Sequence, residues 1–150
     1  MTRTYVITGA ASGTGATTAQ TLREQGHTVI GVDLKDAEVI ADLSTHEGRI
    51  AAADEAAKLA GGTVDAVIAC AGIAAPIAKT IAINFFGVTE FLTALLPALR
   101  ASSAPRVAVV SSMASLQTAS AELVDAARAG DEDRALQIAA GLEAQGPEIG

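Results

Sequence analysis

The chain has 150 residues, half of them hydrophobic and 18% charged, which is enough apolar content for the core of one ordinary domain and too much for a disordered tail. With 10 basic against 17 acidic side chains, and only Tyr5, Phe85, Phe86 and Phe91 aromatic, the composition argues against a phosphate-tracking or base-stacking nucleic-acid module. The charge is uneven: residues 1–115 carry 8 basic and 10 acidic side chains, residues 116–150 carry 2 and 7, so the acidic tail differs in kind from the body.

Thr4-Tyr-Val-Ile-Thr8 is a short β-branched run ending in a glycine cluster, and it reads as a strand. Ala16, Ala19 and Leu22 recur at helical spacing up to Gly26, a C-terminal stop. Thr28 to Val32 is a second strand closed by Asp33, and Glu38 to Ala41 a weak third. Ser44 with Glu47 predicts a capping box, after which Ile50, Ala53, Ala57 and Ala60 form the inward face of a helix ended by Gly61-Gly62. Val64 to Cys70 is nearly continuous in apolar residues, as a strand buried on both faces of a parallel sheet requires. Residues 79–101 form a long helix with Pro97 near its end, and Arg106 to Val110 is the next buried strand, landing on Ser111-Ser112. Strands alternating with helices imply right-handed crossovers and an α/β fold, a Rossmann-type doubly wound parallel sheet of five strands.

After Leu116 the pattern changes to two short helices, Glu122 to Ala129 and Glu132 to Ala144, hinged at Gly130 and with Asp131 as the second N-cap. Leu136, Ala139, Ala140 and Leu142 give the second helix a weak apolar face, so the pair is expected to lie over the domain. The expected division is residues 1–115 as the core and 116–150 as an acidic helical segment. An acidic tail that docks a partner is a further reading.

The single cysteine, Cys70, has no partner for an internal disulfide, and no cluster of thiols or histidines suggests a metal. Cys70 is expected to be a core thiol, and His27 and His46 to be exposed. The uncharged run Val107 to Ala121, interrupted by serines, falls short of the ~20 apolar residues of a membrane span, and the N-terminus lacks a cleavage-site pattern. A cytoplasmic, reducing location is expected.

Thr8-Gly-Ala-Ala-Ser-Gly-Thr-Gly15 follows the first strand and opens the first helix. A dinucleotide diphosphate needs backbone N–H groups at a helix N-terminus and glycines that let the backbone approach it. Asp33, 18 residues beyond Gly15, matches the acid that takes the adenosine ribose hydroxyls. A carboxylate there repels a 2′-phosphate, and Ala11-Ser12 supply no basic partner, so NAD is expected over NADP, with Lys35 the nearest cation in sequence.

The glycines Gly9, Gly13 and Gly15 behind Thr8 resemble the loop of the short-chain dehydrogenase/reductase family. Asp42-Leu43 is similar to that family's adenine-contacting pair, Asp65 to Gly72 to its central strand and Asn-Ala-Gly element, Asn84-Phe-Phe-Gly87 to its helix Asn motif, and Val109-Val-Ser-Ser112 to its serine strand. Asp36 to Thr45, and a helical insertion after the serine strand, resemble the family's bacterial hydroxysteroid dehydrogenases. The resemblance implies hydride transfer between NAD and a secondary alcohol or ketone, with a steroid as a candidate substrate, in a homo-oligomer. It implies a dinucleotide site of Gly9, Ser12, Gly13, Thr14, Gly15, Asp33, Asp42, Leu43, Ala71 and Gly72. Ser112 carries over as the hydroxyl holding the carbonyl oxygen, with Ser111 and Ser115 as alternatives, and Asn84 as the residue holding a water.

Two positions depart from the family pattern: Thr14 lies between the last two loop glycines, and Cys70 stands where Asn is usual. The general acid/base expected of the family is the tyrosine of a Tyr-x-x-x-Lys segment beyond the serine strand. Here the only tyrosine is Tyr5 and the last lysine is Lys79. The expectation is that these 150 residues are the N-terminal part of a longer enzyme whose Tyr-x-x-x-Lys segment starts near Gly150, and are inactive alone. The competing reading is a non-catalytic dinucleotide-binding or interaction protein with a degenerate dehydrogenase fold.

Overall fold

Val6 and Ile7 are both fully buried, so β1 (Thr4–Thr8) is shielded on both faces and occupies the middle of a parallel sheet. The computed structural model describes residues 1–146; Pro147 to Gly150, and with them the expected start of the Tyr-x-x-x-Lys segment, lie outside the described residues. The other strands are β2 (Thr28–Asp33), β3 (Val39–Ile40), β4 (Ala66–Ala69) and β5 (Arg106–Val109), in the order β3-β2-β1-β4-β5. All pairings are parallel, with Val6 opposite Ile30 on one side and Val67 on the other. The chain runs outward from β1 to β3 and then crosses back to β4, so the direction of winding reverses between β1 and β4. Ligands of open α/β sheets bind beyond the strand ends at such a reversal.

Among the described residues there are six α-helices: α1 (Gly13–Glu24), α2 (His46–Leu59), α3 (Ile77–Ile81), α4 (Gly87–Arg100), α5 (Ala121–Arg128) and α6 (Glu132–Ala144). One face of the sheet packs against α2 and α4 through Ala52, Ala53, Ala56, Phe91, Leu95 and Leu99. The opposite face packs against α1 through Ala19 and Leu22. A satellite cluster of Phe86, Ala126 and Ala135 docks α5 and α6 on the helical layer.

Several local expectations shift. The N-cap of α2 is Thr45, not Ser44: Thr45 has extended backbone and its Oγ1 accepts from Gly48 N at 3.0 Å, while the Ser44 amide is already bonded to Asp42 Oδ1. The inward face of α2 is Arg49, Ala52, Ala53 and Ala56, because the helix must meet α4 as well as the sheet; Ile50 and Ala57 are only half-buried. The long helix expected over 79–101 starts at Ile77 and is interrupted by a π segment, Ala82–Phe86, between α3 and α4. The buried face of α6 is Ala135 and Ala139, with Ala140 turned to solvent. His27 is half-buried beneath Tyr5, ring centroids 5.2 Å apart, whereas His46 is exposed as expected. β5 is exposed along its whole length rather than buried, with Val107 and Val109 about half accessible.

The run Ile77–Arg100 is long and apolar enough by composition to cross a membrane, with mean hydropathy 1.6. Phe91, Leu95, Ala98 and Leu99 bury its inner face within the protein core, and Glu90 on the same helix is ion-paired to Arg49.

Candidate functional site

Gly9 leaves β1 with φ +69°, and its amide donates to the Val32 carbonyl at 2.9 Å, which folds the glycine turn back over the end of β2. Asp33, the last residue of β2, completes the turn: its Oδ2 accepts from Ala11 N at 2.9 Å and its Oδ1 from Leu34 N at 2.7 Å. A Cβ on Gly15 would collide with the Gly9 carbonyl, so glycine there is a packing requirement between turn and helix. A Cβ on Gly13 would meet nothing, leaving the start of α1 open. Ser12, the α1 N-cap, has extended backbone and makes no side-chain capping bond, so its hydroxyl is uncommitted at the positive end of the helix.

Beside this turn lies a cavity of about 370 Å³. Its walls include Gly9, Ser12, Gly13, Thr14, Gly15, Asp33, Asp42, Leu43, Ala71 and Gly72, all ten residues expected to hold a dinucleotide. The structure therefore brings together glycine turn, acid and the ends of β3 and β4, which span more than 60 positions of sequence. Thr8 links two walls, its buried Oγ1 accepting from Ala71 N at 3.1 Å. Asp42 is exposed, and bonds from the Ser44 side chain and amide hold its carboxyl below the usual carboxylate range. Cys70 is half-buried in the same wall, where burial pushes its thiol up, away from the reactive thiolate.

The two residues carried over for chemistry sit at the margin. Asn84 lies in the π segment and turns its carboxamide onto the main chain of Ile73, accepting from its N at 3.0 Å and donating to its O at 2.9 Å. Its neighbours Ile73 and Ile83 line the cavity. Ser112 is exposed and caps a short 3-10 turn, Met113–Leu116, with Oγ accepting from Ala114 N at 3.2 Å. Val110, two residues earlier, is the part of this segment that reaches the cavity.

Sequence reasoning missed Arg49. Its side chain is completely buried, with Nε on the Leu43 carbonyl at 2.8 Å, Nη1 on Glu90 at 2.8 Å and Glu132 at 2.7 Å, and Nη2 on Glu132 at 2.7 Å. Burial works against the charge on Arg49, and the two carboxylates outweigh it. Burial likewise opposes the Glu90 charge, but bonds from Arg49 and His46 hold its carboxyl low. The available signal was a lone cation one position away from the apolar face of α2.

A second cavity of about 420 Å³ lies between α2, the π segment, α4 and α5. Its walls are helix side chains, Phe85 and Phe86 among them, with Gly130 its one glycine. Among the described residues no group of three or more His, Cys, Asp or Glu could hold a metal.

The chain compares with known proteins as this geometry would suggest. Residues 3–127 match the family model described as short chain dehydrogenase. The chain is 42% identical to the 3-alpha-hydroxysteroid dehydrogenase/carbonyl reductase of Comamonas testosteroni, an alignment covering 96% of this chain and 58% of that protein. Its fold superposes with a TM-score of 0.87 and 40% identity on the crystal structure of the 3-alpha-hydroxysteroid dehydrogenase from Pseudomonas sp. B-0831 complexed with NADH, covering 96% of this chain and 62% of that one. An aldohexose dehydrogenase of Thermoplasma acidophilum shares the fold, with a TM-score of 0.65 at 23% identity over 74% of this chain and 49% of that one. The chain thus spans rather less than two thirds of the length of the two hydroxysteroid dehydrogenases it matches. With glycine turn, acid and Ala71-Gly72 converging on one cavity and the family model covering most of the sequence, the chain belongs to the short-chain dehydrogenase family.

Proposed function

We propose that these residues form the NAD-binding part of an oxidoreductase that interconverts a secondary alcohol and a ketone, with a 3α-hydroxysteroid as the substrate class favoured by the names of its relatives. The observation that carries the reading is the cavity in which the open start of α1 faces Asp33 across the glycine turn. The residues fit a dinucleotide: Gly13 leaves the start of α1 open, Gly15 lets the helix pack closely on the turn, and helix-start amides suit a diphosphate.

In this reading Gly9, Ser12, Gly13, Thr14 and Gly15 hold the diphosphate, and Asp33 accepts from the adenosine ribose hydroxyls. Asp42 and Leu43 border the adenine; Ala71 and Gly72 border the nicotinamide-side ribose. NAD is preferred over NADP because the Asp33 carboxylate faces the position of a 2′-phosphate. When bound, the dinucleotide supplies the hydride acceptor. Ser112 donates a hydrogen bond to the substrate carbonyl oxygen, and Asn84, with Ile73 fixed, holds a water through its remaining N–H and lone pair. Neither Tyr5, in the first strand, nor any lysine after Lys79 supplies the family's general acid/base, so the 150 residues bind NAD and turn nothing over. Residues 1–115 act as the nucleotide-binding core and 116–150 as a helical segment laid on it. The whole protein works as a homo-oligomer in a reducing, cytoplasmic compartment.

Calorimetric titration of the purified chain with NAD and NADP tests the reading. Saturable one-site NAD binding that is tighter than NADP binding is expected, and no heat from either nucleotide overturns it. A second reading, a dinucleotide-binding protein without catalysis, draws on the two bonds that commit Asn84 to Ile73. Whole-protein turnover of a 3α-hydroxysteroid with NAD decides against it.

A further inference from the structure

We propose that Arg49 and Glu132 form a positioning pair that sets the adenine-side rim of the dinucleotide cavity, so that α6 governs nucleotide affinity without touching the nucleotide; this rests on the NAD-binding reading above. Arg49 holds three backbone carbonyls at once. Its Nε bonds Leu43 O at 2.8 Å, and Nη2 bonds Ser44 O at 3.1 Å and Ala82 O at 3.0 Å. The first two lie immediately after Asp42 on the cavity rim. The third opens the π segment, whose Ile83 lines the cavity and whose Asn84 clamps Ile73 in the opposite wall.

A guanidinium offers its donors in a rigid plane, so turning it moves every carbonyl it holds. What fixes the plane is the Glu132 carboxylate, which meets both Nη1 and Nη2 at 2.7 Å in a bidentate fork; Glu90 bonds Nη1 alone. Glu132 is the first residue of α6, directly after the Asp131 N-cap, and is not among the residues lining the cavity. Removing it leaves a fully buried cation with one carboxylate and only backbone carbonyls to orient it, so the Leu43 and Ser44 carbonyls are held less firmly. Because two of the three carbonyls, those of Leu43 and Ser44, belong to the adenine-side rim, the effect falls mainly on ligands that carry the adenosine half.

The test is titration of wild type, Glu132→Ala, the isosteric Glu132→Gln, and the neighbouring control Asp133→Ala with NADH, ADP-ribose and nicotinamide mononucleotide. The expected result is a weakening of about tenfold for NADH and ADP-ribose alike in both Glu132 variants. Nicotinamide mononucleotide binding is expected to weaken far less, and the Asp133→Ala variant to bind as wild type. Amide exchange should accelerate at Leu43 to Thr45 while β1 and β4 keep their protection. Folded Glu132 variants with wild-type ADP-ribose affinity overturn the proposal while the NAD reading stands, whatever the loss in Tm. Equal weakening of all three ligands overturns it as well, since that reports general loosening. Failure of the wild type to bind NADH and ADP-ribose overturns the NAD reading, and this proposal with it.

Discussion

Asn84 grips Ile73 at two points, accepting from its amide at 3.0 Å and donating to its carbonyl at 2.9 Å, so that the π segment and the loop after β4 move as one wall of the cavity. The grip needs a group that both donates and accepts, which a carboxylate cannot provide. Asn84→Asp is therefore expected to lose the bond to the Ile73 carbonyl and to set two oxygens against each other. We expect a loss of about 1 kcal/mol in urea denaturation, since the site is exposed, together with weaker NAD binding. Unchanged stability and affinity would show that the clamp carries no weight.

Gly15 touches the Gly9 carbonyl so closely that no Cβ fits between them. Gly15→Ala should push α1 away from the turn and weaken NAD binding by more than tenfold, because the first-turn amides no longer converge on the diphosphate. Gly13→Ala meets no atom, but the φ of +52° strains it, so a smaller loss is expected there. Parallel calorimetric titrations of the two variants rank the effects.

Asp33 bonds the Ala11 amide on one side and faces the cavity on the other. Asp33→Asn keeps a side-chain oxygen for Ala11 but removes the negative charge. The expected outcome is a narrowed NAD to NADP affinity ratio, with NADP binding improved in absolute terms. A ratio unchanged from wild type would separate cofactor choice from this charge.

Asp65 ties the start of β1 to the β4–β5 side, accepting from Thr4 N at 2.8 Å and from Ser102 Oγ at 2.6 Å. The Ser102 bond first, and the Thr4 amide next, hold its carboxyl below the usual range. A carboxyl whose folded value is depressed adds stability above its unfolded value of about 4, and that contribution is lost as pH falls through the lower folded value. Asp65→Asn should cost about 1 kcal/mol at pH 7, an amount limited by solvent screening, and the difference from wild type should shrink below pH 4 in urea melts. A difference independent of pH would rule out the ionised form as its source.

Phe91 is fully buried between α4 and the sheet. Phe91→Ala should cost about 3–5 kcal/mol in equilibrium unfolding, the range for a large aromatic lost from a packed core. A cost below 1 kcal/mol would mean that the site collapses freely.

How much was readable in advance follows the range of the interactions involved. The glycine turn and Asp33 were legible because turn geometry and helix-start chemistry are decided within a few residues, and the parallel sheet followed from strands alternating with helices. The face of α2 was read one position off, because Arg49 occupies an inward place that periodicity reserves for apolar side chains. Its carboxylate partners Glu90 and Glu132 lie 41 and 83 positions away, a separation over which no local pattern carries information. The exposure of β5 was equally invisible, since an apolar strand reads the same whether or not anything lies against it.

By itself, then, the amino-acid order determined the parallel α/β plan and the composition of the cradle, both of which arise from backbone conformation and short-range spacing. Only the tertiary structure decided that Arg49 would be buried as a knot between α2, α4 and α6, that Asn84 would spend its carboxamide on Ile73, and that Ser112 would cap a turn at the surface. Those outcomes depend on which distant groups meet as the helices pack, and a buried charge survives only where its partners have been carried to it.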